Sequence, residues 1–374
     1  MFPSRRTKAS GIATGGGDVF RDEHSLAFDG TDGNLNFGDI TALDGLDDMT
    51  ISMWVNYKDT NNQVFITKGN YNSSGSSFYF NIQPDSGPDG RLRFSVDGSG
   101  GSGGFWYRNS MALAGRLEIN KWNHVAVSYS STNSTVLFYI NGTEWAYTSS
   151  GGSFIAIPNT NHDLKIGTDS GENAFSYSNI SDVAIYNTNL SHSQVNQIYN
   201  GREPYNHKEG SLSKNLVSWW RMGDGRLDEF NLICDEKTPT IGSDLITNGG
   251  FDGASGWTVD NFSIGSGVAT TSTNGASIEQ SISISAGDVI KIVAEIKSYS
   301  SGSIRFYTSN GSDTYRSFSS DGVHTHYLIA NNTKVLFYSD NFNGSLDNVK
   351  VYKVNGYPGT MINMDADEFV GDTP

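Results

Sequence analysis

Short stretches in which apolar and polar residues alternate recur along the first half of the chain, and turn residues separate them. In residues 50–55 (TISMWV) every second residue from Ile51 is apolar, and residues 122–129 (WNHVAVSY) alternate in the same way from Val125. A period of two is that of a half-buried β-strand. Strands at this spacing, with no long helical patterns between them, predict an antiparallel sandwich and exclude a series of βαβ units.

Two local signals predict a hairpin and a helix. The strand Val136–Ile140 runs into Asn141–Gly142, a dipeptide that favours the tight turn of a β-hairpin. After the last of these strands, Ser191 is a plausible helix N-cap, Gln194 completes a capping box, and Asn200–Gly201 supplies the stop signal. The sequence therefore predicts one short helix.

Strand patterns resume after residue 243, for example at Val289–Ser298 and Lys334–Tyr338. The predicted fold is all-β, with two antiparallel β-sandwich (jelly-roll) domains and one short helix after the first. The predicted divisions are an extended N-terminal arm over 1–23, a sandwich over 24–201, a connector over 202–242, a second sandwich over 243–354 and an acidic tail over 355–374, which we expect to lie on a surface.

Composition and charge narrow the class of partner. The 374 residues include 43 Gly and carry a net charge of −15. No Lys/Arg cluster is interleaved with aromatic residues, so we expect no nucleic-acid partner. No apolar run reaches the length of a membrane span, the basic N-terminus lacks the apolar region of a signal peptide, and Cys234 has no second cysteine with which to form a disulfide.

The first sandwich resembles the laminin-G-like (concanavalin A-like lectin/glucanase) family. The motifs that carry the resemblance are Ser25–Gly30, Thr50–Val55, Lys68–Gly69, Trp122–Tyr129, Phe138–Gly142, Leu164–Gly167, Ser181–Asn187 and Leu190–Val195. The resemblance implies two antiparallel sheets, often with a structural Ca²⁺. By position it implies Asp29 or Asp32, together with Asp182, as candidate metal ligands.

The second sandwich resembles the jelly-roll carbohydrate-binding modules at its two ends, Asn248–Trp257 and Asp347–Tyr352. In that family a calcium links the first and last strands, which implies Asp252 and Asp347 as ligands. Calcium takes six to eight oxygen ligands, and carboxylates are common among them. The alternative is that Asp29 and Asp347 are turn residues that bond to their own backbone.

The flanking phrases resemble those of marine bacteriophage virion proteins that carry a laminin-G-like domain. They are SRRTKASG near the N-terminus, WWRMGDG at 219–225 and GTMINMDADEFVGDTP at 359–374. In such chains the last two phrases stand close together, whereas here the second sandwich separates them. The resemblance implies a carbohydrate-module-like domain inserted into a phage structural protein, because insertions succeed at exposed loops whose ends lie near each other.

Sugar binding requires an exposed aromatic ring and polar groups for the hydroxyls. In residues 303–309 (SIRFYTS), Arg305 and Tyr307 share the face opposite the apolar side chains. The candidate ligand-binding residues are Arg305, Tyr307, Tyr315 and His324 in the second sandwich, and Trp106 and Tyr107 at the end of a Gly-rich loop in the first. The alternative is that these aromatics are core residues, strand partners or an unremarkable hairpin tip.

Catalytic patterns are missing from the sequence. There is no Glu-x-Asp-x-Glu or Glu-x-Asp-x-x-Glu strand for glycoside cleavage and no His-Glu-x-x-His metal motif. We therefore expect a non-enzymatic phage virion protein, a capsid decoration or a fibre or appendage component, found on the extracellular particle. Its expected partners are other virion proteins, a host-surface polysaccharide and further copies of itself. Two alternatives stay open: a secreted bacterial carbohydrate-binding protein or accessory part of a polysaccharide-degrading enzyme, and an inert spacer.

Overall fold

The structure is a computed structural model that describes residues 20–59, 61–69, 76–84, 90–97, 105–110, 117–145, 147–150, 153–225, 228, 231–237, 240–308 and 315–374. For residues 83–84, 90, 97, 105–110 and 147–150 it describes the backbone alone. The predicted arm over 1–23 therefore lies largely outside the described residues.

The strands before the helix are β1 Ser25–Asp29, β2 Asn34–Asn36, β3 Asp48–Tyr57, β4 Gln63–Lys68, β5 Phe78–Pro84, β6 Gly90–Asp97, β7 Phe105–Ser110, β8 Asn123–Ser130, β9 Thr135–Ile140, β10 Thr143–Trp145, β11 Tyr147–Ser150, β12 Leu164–Ile166 and β13 Tyr177–Tyr186. Helix α1, His192–Tyr199, follows, and then come β14 Leu216–Trp220, β15 Leu232–Ile233, β16 Thr240–Asp244, β17 Thr258–Asp260, β18 Ser263–Gly265, β19 Val268–Thr271, β20 Ser277–Ser281, β21 Val289–Tyr307, β22 Arg316–Phe318, β23 Gly322–Ile329, β24 Lys334–Asn355, β25 Gly359–Ile362 and β26 Phe369–Val370. Short 3₁₀ turns lie at Thr41–Leu43, Asn200–Arg202, Ser213–Asn215 and Ala366–Glu368.

The first sandwich consists of two antiparallel sheets. One has the strand order β10-β9-β8-β3-β13-β1-β26, with β14 also paired to β13, and the other has the order β11-β7-β6-β5-β4-β12-β2-β25-β15. Inward-facing side chains of both sheets, such as Ile51 and Val127 of the predicted strands, are buried in one core. The all-β class and the sandwich fold predicted from the alternating pattern are thus confirmed.

The second sandwich is organised by two long strands. β24 pairs with β21 over most of its length and also pairs with β16, β19 and β20, while β21 pairs in addition with β22 and β23. The register of the β21–β24 pair shifts at several points, and such irregularities bend the strands that carry them. Trp257, Phe306 and Phe337 lie in its core.

The chain returns to the first sandwich after the second. β25 pairs with β2 and β15 at the edge of one sheet, and β26 pairs with β1 at the edge of the other. The tail is therefore not simply applied to a surface as predicted, since Met361 is buried in the first core. The predicted connector is likewise structured in part, because β14 pairs with β13.

The predicted local elements are found where the sequence placed them. Asn141 and Gly142 both have positive φ between β9 and β10, as a tight hairpin turn requires. The Ser191 N–H donates to Gln194 Oε1 at 2.9 Å at the start of α1, and Asn200 ends the helix in the left-handed conformation. Within the described ranges, no helix combines the length and apolarity needed to cross a membrane.

Candidate functional site

The aspartates predicted to share a calcium in the first sandwich are set apart by the strand register. β1 and β13 pair so that Leu26 lies opposite Ile180 and Asp29 opposite Tyr177. Asp182 therefore lies five residues along β13 from the partner of Asp29, roughly 16 Å away at the usual rise of a strand. Asp29 Oδ1 accepts a hydrogen bond from the Thr31 N–H at 2.8 Å, which is the turn role considered above. Asp32 is exposed, and its backbone oxygen accepts a hydrogen bond from Asn34 Nδ2 at 3.2 Å.

Asp182 lies in a buried polar network. It occupies a break in the register of β13 with a φ of 53°. Trp219 Nε1 donates to its Oδ1, and His207 Nε2 lies 3.2 Å from its Oδ2. The Tyr186 hydroxyl lies 2.5 Å from the other ring nitrogen of His207. With both oxygens engaged and its side chain only 2% exposed, Asp182 positions His207 and Trp219, and its calcium role stays a prediction.

The protonation of this network favours a charged Asp182. Burial by itself would raise the pKa of Asp182, but His207, the hydrogen bond from Trp219 and the charge of Arg221 together hold that pKa below its ordinary value. The carboxylate thus stays ionised and balanced by its donors. Because Tyr186 and His207 are fully buried, a substrate in solution cannot contact this hydrogen-bonded series of aspartate, histidine and tyrosine.

Asp252 and Asp347, the second pair of candidate calcium ligands, lie on two segments that are hydrogen-bonded to each other. The Val349 N–H donates to the Gly249 carbonyl at 2.9 Å, which joins β24 to the segment that carries Asp252. Asp347 Oδ2 accepts from Lys297 Nζ at 2.7 Å, so an ammonium group already occupies one of its oxygens. Asp252 is exposed. A calcium role for Asp29, Asp32, Asp252 or Asp347 stays a prediction, and among the described residues no three His, Cys, Asp or Glu side chains are grouped to hold a metal.

Three of the predicted ligand-binding residues converge on the second sandwich. The Arg305 guanidinium carbon lies 4.8 Å from the centroid of the Tyr315 ring, and the Tyr307 and Tyr315 rings are 5.1 Å apart. Arg305 also forms an ion pair with Asp340. Tyr307 is buried, whereas Tyr315 is 42% exposed. Tyr315 is therefore an aromatic ring that its neighbours hold in place and that is open to a ligand.

The remaining predicted ligand residues lie elsewhere. His324 Nε2 lies 2.8 Å from the Ser320 carbonyl, and its ring packs against Phe318 at a centroid distance of 4.6 Å. Trp106 and Tyr107 belong to β7, whose backbone pairs with β6. Their side chains lie outside the described part of the structure.

Tyr315 forms part of a cleft between the two sandwiches. The cleft has a volume of about 480 Å³, and its walls come from β23, from the returning strand β25, and from the end of β2 and neighbouring loops of the first sandwich. Binding pockets for small molecules commonly have volumes of roughly 300–1,000 Å³. The cleft is thus large enough for a short oligosaccharide.

Amide side chains contribute much of the polar wall of the cleft. Asn36 Nδ2 donates to Asp163 Oδ2 at 2.8 Å on the side of the first sandwich. On the opposite side Asn331 Oδ1 accepts from the Thr308 hydroxyl at 2.7 Å. These bonds fix the orientation of both amides, and an amide presents donors and acceptors to a hydroxyl group equally well.

His326 is the most unusual residue of the cleft. It is only 7% exposed, and neither ring nitrogen has a hydrogen-bond partner among the described residues. Burial, helped by the positive charge of Arg316, lowers its pKa to about 4. A neutral imidazole has one donor and one acceptor, and leaving them unpaired in a buried position costs on the order of 1–3 kcal/mol each. A ligand with hydroxyl groups would relieve this cost.

An apolar contact and one hydrogen bond hold the two walls in register. Leu232 and Cys234 of the first sandwich pack with Val289, Tyr327 and Val354 of the second. Beside this contact, Asn231 Nδ2 donates to the Tyr327 carbonyl at 2.8 Å. The cleft is therefore a built feature of the structure, because its walls are joined by buried side chains.

The sequence predicted a cleft residue on the second sandwich only. Tyr315 was predicted, and His324 lies two residues before the histidine that does line the cleft. The amides at Asn36 and Asn331 carry no signal of their own, because Asn is abundant in the turns of this chain. The contribution of β25 depends on the return of the chain, which no local pattern encodes.

Residues 29–196 match the sequence profile of a laminin-G-type family described as the concanavalin A-like lectin/glucanases superfamily. The matched segment is less than half of the chain, and over that segment the chain is similar to this superfamily. No curated protein matches the chain.

Several solved structures are similar over part of the chain. A heptameric SAP-like pentraxin from Limulus polyphemus is 17% identical, with a TM-score of 0.40, over 48% of this chain and 83% of the pentraxin. A putative carbohydrate-binding protein from Bacteroides ovatus is 15% identical, with a TM-score of 0.43, over 58% of this chain and 56% of that protein. Tailspike protein 2 of the Escherichia coli O157:H7 bacteriophage CAB120 is 13% identical, with a TM-score of 0.37, over 55% of this chain and 30% of the tailspike. At these identities the likeness is one of fold alone.

Proposed function

We propose that this chain is a non-enzymatic structural protein of a bacteriophage virion, a capsid decoration or a fibre or appendage component, that binds a glycan of the host surface. The glycan lies in the cleft between the two sandwiches. The observation that carries this proposal is the cleft itself, in which the exposed ring of Tyr315 and the unpartnered imidazole of His326 line the same cavity.

The pairing of these two groups suits a sugar. A pyranose ring has an apolar face that packs on an aromatic ring and a rim of hydroxyl groups that need hydrogen-bond partners. Tyr315 supplies the ring, and Arg305 and Tyr307 hold it in position. His326 and the amides of Asn36 and Asn331 supply the partners. The concanavalin A-like character of the first sandwich is consistent with this chemistry.

The virion role rests on the flanking phrases and on where they meet. WWRMGDG and the closing acidic phrase resemble segments that stand together in phage virion proteins. Here Trp220 Nε1 donates to the Tyr357 carbonyl at 2.6 Å, and the Gly223 backbone lies against the Phe369 ring. The fold thus reunites the two phrases around the first sandwich.

The proposal that the protein is not an enzyme rests on the small number of carboxylates among the described residues that line the cleft. Glycoside hydrolysis by the common mechanisms uses two carboxyl groups that flank the scissile bond. Among the described residues that line the cleft, Asp163 is the one carboxylate, and it already accepts a hydrogen bond from Asn36. This composition favours binding without cleavage.

Binding of purified host-surface polysaccharide to the protein tests the glycan role. We expect saturable binding in calorimetry, a loss of at least about tenfold in affinity for Tyr315→Ala, and no release of reducing ends from the polysaccharide. Tyr177→Ala is the matched control, because Tyr177 is similarly exposed (46%) and lies on the first sandwich outside the cleft. Polysaccharide binding that Tyr315→Ala leaves unchanged would reject the cleft as the site, and absence of the chain from purified particles by mass spectrometry would reject the virion role.

A further inference from the structure

We infer that the cleft selects an uncharged glycan, one whose rings carry hydroxyl or acetamido groups and no carboxylate, sulfate or phosphate. This inference rests on the proposed glycan-binding function and adds the chemical class of the ligand. It follows from the charges in and around the cleft.

No described side chain that lines the cleft carries a positive charge. The lining includes amides, tyrosines, aliphatic side chains, Asp163 and His326, but neither lysine nor arginine. Sites that hold carboxylates, sulfates or phosphates commonly supply an arginine or lysine to pair with the anion. An anionic sugar in this cleft would lose its hydration without gaining such a partner, and that loss is costly.

The two arginines beside Tyr315 and His326 do not replace that partner. Arg305 packs on Tyr315 but forms an ion pair with Asp340. Arg316 lies close enough to lower the pKa of His326, yet it does not line the cleft. His326 itself is neutral at pH 7, because its pKa is held near 4.

The charges that remain oppose an anion. Asp163 carries a carboxylate into the cleft wall, and like charges repel strongly where water is partly excluded. The whole chain adds a formal net charge of −15, which slows the approach of anionic polymers at low salt. Hydroxyl and acetamido groups, by contrast, match the donors and acceptors of the amides and of the neutral imidazole.

Calorimetry with matched hexasaccharides tests the inference. The probes are neutral hexamers of glucose and mannose and acidic hexamers of galacturonate and mannuronate, at low salt and pH 7. We expect at least one neutral hexamer to bind, and to bind on the order of tenfold or more tightly than any acidic one. Asp163→Asn preserves the shape of the side chain and removes its charge. It should raise the affinity for acidic hexamers and so reduce the ratio of neutral to acidic affinity.

Comparing His326→Gln with the matched control His324→Gln tests whether the ligand binds in the cleft. The two histidines lie on one face of β23, but only His326 lines the cleft. His326→Gln should weaken binding of the neutral hexamer by about tenfold, and His324→Gln should leave it unchanged. Thermal melting of both variants shows whether each is folded, and Asn331→Ala, at an exposed position, replaces His326→Gln if that variant unfolds.

The outcomes separate the inference from the proposed function. Tighter binding of an acidic hexamer that Tyr315→Ala abolishes would overturn the neutral preference and leave the glycan-binding function intact. Binding of no hexamer and no host polysaccharide would overturn the function itself. Equal binding of neutral and acidic hexamers, unaffected by Asp163→Asn, would also overturn the inference.

Discussion

The indole Nε1 of Trp220 donates a hydrogen bond to the backbone oxygen of Tyr357, 2.6 Å away and 137 positions further along the chain. Trp220 ends β14 in the first sandwich, before the chain enters the second sandwich, and Tyr357 precedes β25, the first strand after it. The bond therefore ties together the two points between which the second sandwich leaves and returns. The cleft depends on this arrangement, because the returning strand β25 forms part of its wall.

The second sandwich should be removable without unfolding the first. Thr240 and Asn355 lie opposite each other in the β16–β24 pair, and Asn355 Nδ2 donates to Thr240 Oγ1 at 3.0 Å. Because these ends already meet, a variant in which an Asn-Gly turn replaces residues 241–354 should fold with one cooperative thermal transition. We expect a melting temperature a few degrees lower, since Leu232 and Cys234 lose their apolar cover.

The outcome of this excision is read by near-ultraviolet circular dichroism and calorimetry. A variant that lacks a cooperative transition would show that the first sandwich needs the second, against the topology described above. Residues 240–355 expressed alone serve as the companion experiment, and they should also fold, because they contain a complete core of their own.

Asp182→Ala should strongly destabilise the first sandwich. It removes the acceptor for Trp219 Nε1 and the partner of His207 in a fully buried site, and breaking a buried ionic network of this kind costs on the order of 3–5 kcal/mol. Urea unfolding measures the change in the free energy of unfolding. Asp252→Ala, at an exposed position, should change it by less than about 0.5 kcal/mol; equal effects of the two substitutions would contradict the structural role of Asp182.

A buried lysine gives a second test of the first sandwich. The Lys68 side chain is fully buried, and its Nζ lies 2.8 Å from Asp39 Oδ1, 2.8 Å from Asp44 Oδ1 and 2.7 Å from the Thr160 carbonyl. Lys68→Met would leave two carboxylates without their cation, so we expect a loss of about 3–5 kcal/mol in unfolding free energy. Lys121→Met is the control, because Lys121 forms a solvent-exposed ion pair with Glu118 and such pairs contribute little to stability.

The stability of the first sandwich should depend on pH through Asp22. Burial, with repulsion from Asp182, raises the pKa of Asp22 from 3.8 to about 7, although Arg221 Nη2 lies 2.8 Å from its carboxyl. The folded state then holds a proton that the unfolded state has lost. The stabilisation that protonated Asp22 provides is therefore complete below about pH 4 and is lost as pH rises through 7.

Urea unfolding at pH 5 and pH 8, in the wild type and in Asp22→Asn, measures this dependence. Between pH 5 and pH 8 the free energy of unfolding of the wild type should fall on the order of 2–4 kcal/mol more than that of the variant. Asp228, whose pKa burial raises to about 6, contributes in both proteins and cancels in the difference. Parallel pH profiles of the two proteins would contradict the assignment to Asp22.

Patterns of neighbouring residues predicted the local elements well. The period of two in residues 50–55, the Asn141–Gly142 turn and the capping box at Ser191 each act within a few residues, and each forms as expected.

Long-range pairing accounts for what the sequence did not predict. The register of β1 against β13 separates Asp29 from Asp182, and a register is set by packing of the whole sheet rather than by either phrase alone. The tail becomes β25 and β26 because two sheet edges of the first sandwich accept it. The choice of His326 over His324 in the cleft depends on how the two sandwiches meet, which is encoded in no single segment.

The most direct test of the account is a crystal structure of the protein with a bound neutral hexasaccharide. We predict a sugar ring packed on Tyr315, with a hydroxyl group within hydrogen-bond distance of a ring nitrogen of His326 and contacts to Asn36 from the other sandwich. A hexasaccharide bound at any other surface, with no sugar between Tyr315 and Asn36, would contradict the claim that the cleft between the two sandwiches is the glycan site.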